Sequence, residues 1–382
     1  MYSHSDIADA VEGGALTAEQ AASLRNYVAS RTGTPTADEE HVRMLLGFHD
    51  IYIYVSSILL MFGVGWLGSK IEVGSRAPSF FIPLLVGALC WGLAEYFVKR
   101  KRLALTGISL TWVFVYSVYF TIMLLAAQVL GTSGDRTTGQ IVSAVSALVA
   151  AGAAYLHWKR FAEPIAFSLI LGSVAIAIMS LLGAAVPRDP DGTVSFIVMI
   201  LIGIGTLVYA QTWEAKDIDR TTKKADIAFW LHWVAAFETT LGLMGLFGLL
   251  NNPSEGAAVG GIVIFIIFAL VGIILDRRIW VLMGAWPGGI GIYTLIHGTT
   301  PRYNPYNGYE DYGATPYAYS PYGGLGESVD DVMLTLLIVG VVLIGIGMIW
   351  TPLRKALGAL AGPLAGKIPP TGPGDNKVQT FD

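Results

Sequence analysis

Glu238 is the side chain in this sequence best placed to handle a proton or a cation. It lies eleven residues into a largely apolar stretch from Ile227 to Leu250. If that stretch is helical, the carboxyl sits about 16 Å into a hydrocarbon core about 30 Å thick. A carboxyl at this depth costs at least about 2.5 kcal/mol, so it calls for a partner, a cavity or a bound proton. Ala235, Gly242 and Gly245 share its helical face, a strip of small residues that either admits a neighbouring helix closely or leaves room for a solute. His232 lies six residues back, some 120° round the helix and about 8 Å from its start, so it joins Glu238 only around a wide cavity. Thr239 adds a hydroxyl to the same wall. The structural alternative is a protonated Glu238 acting as interhelical glue.

A second candidate is backbone. Trp286-Pro287-Gly288-Gly289 falls in the middle of an apolar stretch from Ile279 to Ile296. Pro287 removes the hydrogen bond to the Met283 carbonyl and the glycines loosen the next turn, which predicts a broken helix. Broken membrane helices offer backbone carbonyls and amides to ions. Gly284 and Gly288 fit equally well with small-residue helix packing.

The remaining ionisable groups read as structural. Glu95 is one turn from Lys99 and is expected to pair with the basic run there. Glu163 before Pro164 suits a helix start, and His157 beside Trp158, Lys159 and Arg160 reads as an interface residue. The lone Cys90 excludes an intrachain disulfide and any zinc site built from thiolates. No deep lysine exists for a retinal Schiff base. A haem held by two histidines would need His157 and His232 at matching depth. Phosphate-cradling loops, zinc helices and nucleophile elbows are missing from the sequence, and no nucleophile and base pair at interface depth for lipid chemistry. The chain is therefore read as non-enzymatic, without cofactor or metal.

These residues must be held by membrane helices. Ten stretches are long and apolar enough to span: 51–67, 78–98, 103–130, 140–158, 161–186, 194–212, 227–250, 257–275, 279–296 and 332–350. Each must be helical because lipid offers the backbone no partner. Charged residues make up 14% of the chain, about half the usual share in soluble domains. Nineteen of the twenty-four Lys and Arg residues fall before the first stretch, in alternate connections and in the tail. These include Lys99 to Arg102, Lys159-Arg160, Lys216 to Lys224 and Arg277-Arg278. The other connections hold only Lys70, Arg76, Arg136, Arg188 and Arg302. Both termini are expected in the cytoplasm. The net charge of −4 is sorted across the membrane and does not suggest nucleic-acid binding.

Residues 1–48 read as a small cytosolic helical hairpin. A helix from Ser5 to Glu12 ends at Gly13-Gly14, and Thr17-Ala18-Glu19-Gln20 forms a capping box for a second helix reaching Ser30. The transmembrane domain covers 49–350, with an outward Tyr-, Gly- and Pro-rich loop at 299–329. The tail 351–382 opens on a basic amphipathic turn, Leu353 to Leu357, then reads as largely disordered. The outer loop or the inner hairpin could hold a protein partner; the bilayer is the certain one.

The run Ile7 to Ala21, Gly65-Trp66 in the first span, Ala94-Glu95-Tyr96-Phe97 before Lys99 to Arg102, and Gln128 resemble bacterial predicted membrane proteins grouped under a domain of unknown function. The resemblance covers about the first 130 residues. It implies a cytosolic helical start, many spans and a bacterial inner membrane, but no site.

The expected fold is an all-α membrane protein of about ten transmembrane helices, built from repeated hairpins. The expected function is a transporter-like or channel-like bundle for a small solute or ion. Glu238, His232, Thr239 and the Pro287, Gly288, Gly289 break would form its path. The competing reading is a non-catalytic scaffold subunit of a membrane complex.

Overall fold

A computed structural model describes residues 48–69, 80–130, 135–298 and 325–358, less a few turn positions, with isolated residues near both ends. Its helices are α1 (Phe48–Ser69), α2 (Phe81–Phe97), α3 (Ala104–Leu130), α4 (Arg136–Phe161), α5 (Ile165–Ala185), α6 (Thr193–Glu214), α7 (Lys223–Leu246), α8 (Glu255–Leu275), α9 (Arg278–His297), α10 (Leu325–Met348) and α11 (Trp350–Leu357). Among the described residues all regular structure is helical. Each expected span corresponds to one of α1 to α10. Nine of these are long and apolar enough to cross a membrane, and α2 is apolar but shorter, with 17 residues. The protein is thus polytopic.

The helices start where local chemistry satisfies their free amides. Asp135 accepts from Thr137 N and Thr138 N at the start of α4, and Ser254 Oγ from Ala257 N before α8. Asp189 takes the amides of Val194 and Ser195 on α6, and Asp217 those of Thr222, just before α7, and Ala225, in its first turn. The hydrogen bonds from Thr138 and from Ser195 hold the Asp135 and Asp189 carboxyls, respectively, below their ordinary pKa. The α3 cap comes from another helix. Asp50 on α1, almost fully buried, accepts from Leu105 N at 2.9 Å and Thr106 N at 3.0 Å.

The best-packed neighbours are α2 with α3, α4 with α5, and α8 with α9, each pair joined by a short connection with basic residues in it or at the helix end beside it. Each of these turns, and the one between α6 and α7, contains one non-glycine residue in the left-handed region: Arg102 (φ 55°), Ala162 (56°), Asp276 (55°) and Arg220 (53°). Side chains rarely adopt that conformation.

The chain forms two units. The first comprises Met1–Arg188, Ile204–Ala235 and Thr351–Asp382. Its core runs from Met61, Cys90, Leu110 and Phe161, through Val115, Ala150, Ala154 and Ile165, to a cluster of Ala210, Ile227 and Leu231. Tyr119, Ser143 and Ser180 join α3, α4 and α5 through hydroxyl bonds of 2.9 and 2.8 Å, the kind of contact that holds helices together in lipid.

The second unit comprises Asp189–Gly203 and Ala236–Trp350. Here glycines let helices touch. A Cβ on Gly284 or Gly288 of α9 would run into Phe268 or Phe265 of α8, and one on Gly261 or Gly291 would meet the carbonyl of Pro287 or Ala258. Gly242 and Gly245 of α7 lie against Ile200 and Phe196 of α6. Trp350 Nε1 donates to Asp276 Oδ1 at 3.1 Å and closes the basic end of this unit.

Several expectations change. α9 runs through Pro287 from Arg278 to His297 without a break, because α8 packs along Gly284, Gly288 and Gly291 and supports it. Glu95 is gripped by Arg160 of α4 rather than Lys99, at 2.6 and 2.8 Å, since two parallel N–H donors fit a carboxylate better than one ammonium. His157 is fully buried rather than interfacial, because Trp91, Phe114 and Phe161 surround its ring. Arg354 in the basic tail turn is buried instead of lying on lipid. The capping box forms as expected, with Thr17 N donating to Gln20 Oε1 and Gln20 N to Thr17 Oγ1. Most of the N-terminal hairpin, the Tyr-rich loop up to residue 324 and the far tail lie outside the described residues.

Candidate functional site

The most hydrophilic of the nine spanning helices is also the most enclosed. α7 is the least apolar of the nine, yet 67% of its apolar stretch is buried, against 6% for Val329–Met348. A helix that carries polar groups into a bilayer must hide them against protein.

Within the first unit, α7 presents His232 to α6. The ring has no exposed surface, and neither has the side chain of Glu214 beyond 1%. His232 Nε2 lies 3.5 Å from Glu214 Oε2 and 3.2 Å from Gln211 Nε2. Gln211 and Glu214 are three residues apart and therefore share a face of α6. The turn after α6 completes the group. The Arg220 amide donates to the Asp217 carbonyl at 3.0 Å, and the left-handed Arg220 redirects the chain. Its Nε returns to Glu214 Oε1 at 3.1 Å. The carboxylate is thus balanced by a guanidinium on one oxygen and faces an imidazole with the other.

With the Gln211 amide nitrogen donating, His232 Nε2 is an acceptor in this arrangement. Uptake of one proton would turn that nitrogen into a donor beside the Glu214 carboxylate. Gln211 could meet the new N–H only by turning its amide oxygen inward. That oxygen is buried and has no hydrogen-bond partner in the present arrangement. A buried acceptor left bare costs about 1–3 kcal/mol, which protonation of the site would recover.

The expected residues divide between two places. His232 enters the group just described. Glu238 and Thr239, further along α7, are 4% and 8% exposed and belong to the second unit. Their neighbour Phe237 stacks with Trp286 of α9 at 6.4 Å. The face containing Gly242 and Gly245 is filled by α6, so close helix approach accounts for those small residues. Pro287 and Gly288 pack on α8, and Gly289 faces Val339 of α10 at an ordinary 3.7 Å.

Sequence reasoning overlooked Gln211, Glu214 and Arg220. Glu214 ends a span and Arg220 sits in a basic turn, so each looks like an interface charge when read alone. The signal was the coincidence of an acid and an amide three residues apart on α6 with a histidine near the start of the next helix. Among the described residues no group of three or more His, Cys, Asp or Glu side chains is arranged to hold a metal ion. Comparison with protein-family models, curated proteins and solved structures gave no match.

Proposed function

We propose that this protein is a proton-coupled transporter of a small solute or ion in a bacterial cytoplasmic membrane, with both termini inside. The observation that carries the reading is the buried contact of His232 with Glu214, with Gln211 on the same ring nitrogen and Arg220 behind the carboxylate. His232 accepts the proton, Glu214 stabilises the imidazolium, Arg220 keeps the carboxylate oriented, and Gln211 changes its donor for its acceptor. Such a site changes charge without admitting bulk water, which suits coupling of proton binding to a helix movement.

The competing reading is a scaffold subunit without transport activity. The glycine-mediated packing of α8 on α9 favours it, because such contacts make a rigid centre. Reconstitution separates the two. Purified protein in vesicles containing a pH-sensitive dye is challenged with panels of small solutes. A transporter acidifies or alkalises the lumen with at least one of them, and His232→Gln and Glu214→Gln abolish that signal. A scaffold gives no solute-dependent signal in any variant.

A further inference from the structure

Glu163 occupies a notch that the mechanism above does not use. It lies in the connection between α4 and α5, half-buried. Its carboxyl rests on Gly107 in the first turn of α3: a Cβ there would come within 2.9 Å of Cδ and Oε1 and 3.2 Å of Oε2. A methyl group there would push the carboxyl from its present place. The charges around it are of both signs. α1 contributes Asp50, already engaged with the Leu105 and Thr106 amides; α7 contributes Lys223, the strongest of the charges acting on it among the described residues, and Asp226; α3 contributes the uncharged turn at Thr106 and Gly107. Burial pushes the Glu163 carboxyl up to about 7, Lys223 opposes the rise, and Asp50 and Asp226 add to it.

We propose that Glu163 is a proton-binding site on the basic face of the protein, separate from His232, whose occupancy fastens the α4–α5 turn to the first turn of α3. With the proton bound, a neutral carboxyl lies in the Gly107 notch beside the Asp50 carboxylate without repulsion. Without it, the new charge is costly to hold in this buried notch, Asp50 and Asp226 repel it against the pull of Lys223, and the side chain leaves for water. The ligand is the proton itself, so the site responds to pH near neutrality on the side where the basic turns lie. No step is shared with the His232 site, so either can fail alone.

The test uses the full-length protein in lipid nanodiscs. Infrared titration should show a protonated carboxyl band that disappears around neutral pH and is missing in Glu163→Gln. As pH rises from about 4.5 to about 7, amide protection of residues 103–110, corrected for intrinsic exchange, should fall by up to about tenfold per pH unit, the limit for release of one linked proton. Gly107→Ala should expel the carboxyl and return its midpoint toward the ordinary carboxylate value. Asp226→Asn should lower the midpoint while keeping the notch, and serves if the other variants do not fold. The proposal is overturned if no band titrating near neutrality depends on Glu163, or if that midpoint is unchanged in both Gly107→Ala and Asp226→Asn.

Discussion

Asp50 of α1 holds the first turn of α3 through Thr106, accepting its amide at 3.0 Å and its hydroxyl at 2.7 Å. The acceptor for α3's free amides thus comes from a helix distant in sequence, and the cap doubles as a tertiary bond. Asp50→Ala removes three acceptor contacts from a buried position and should cost about 2 kcal/mol or more. Asp50→Asn should recover part of the loss. Thermal unfolding in detergent, followed by circular dichroism, measures both.

Glu95 and Arg160 provide the contrast. Their pairing is bidentate, but the side chains are 34% and 45% exposed. Water and salt screen such a pair, so Glu95→Gln should leave the unfolding midpoint nearly unchanged. A large drop would mean that this end of α2 is enclosed rather than open to solvent or headgroups.

Packing of α8 on α9 makes a third prediction. Gly261→Ala should destabilise by about 1–3 kcal/mol, because its new methyl group meets the Pro287 backbone carbonyl and neither helix can yield cheaply. Gly289→Ala meets only Val339 at ordinary contact distance and should be tolerated. If Gly289→Ala stops solute movement while the fold survives, the Pro287 to Gly289 segment is part of the path and not only of the packing.

Glu163 makes stability depend on pH. Its folded-state pKa of about 7 lies above the ordinary 4.5, so between these values the folded protein holds a proton that the unfolded chain releases. Stability from this group is therefore complete below about pH 4.5, declines as pH rises, and is lost above about 7. The melting temperature should fall across that window in the wild type, and Glu163→Gln should flatten this part of the profile.

The spans were legible in the sequence because a bilayer demands length and apolarity from each helix separately. The Thr17 to Gln20 box was legible because both partners lie within one turn. What escaped was contact between helices. Nothing near Asp50 says that it caps α3, and nothing near Glu163 points to Gly107. His157 looked interfacial beside Lys159 and Arg160 because the rings that bury it come from α2 and α3 as well as its own helix. Pro287 suggested a break because its lost hydrogen bond is visible in sequence, whereas the support from α8 is not. Glu238 was found by depth, but the acid beside His232 is Glu214, which lies just past the end of its apolar stretch and was not singled out.

The most direct test is charge movement at the His232 group. Protein reconstituted on a solid-supported membrane and subjected to a rapid pH step should give a transient displacement current, strongly reduced in His232→Gln and Glu214→Gln and retained in Glu95→Gln. A current of unchanged size in His232→Gln, with the variant folded and inserted, would contradict proton binding at this site.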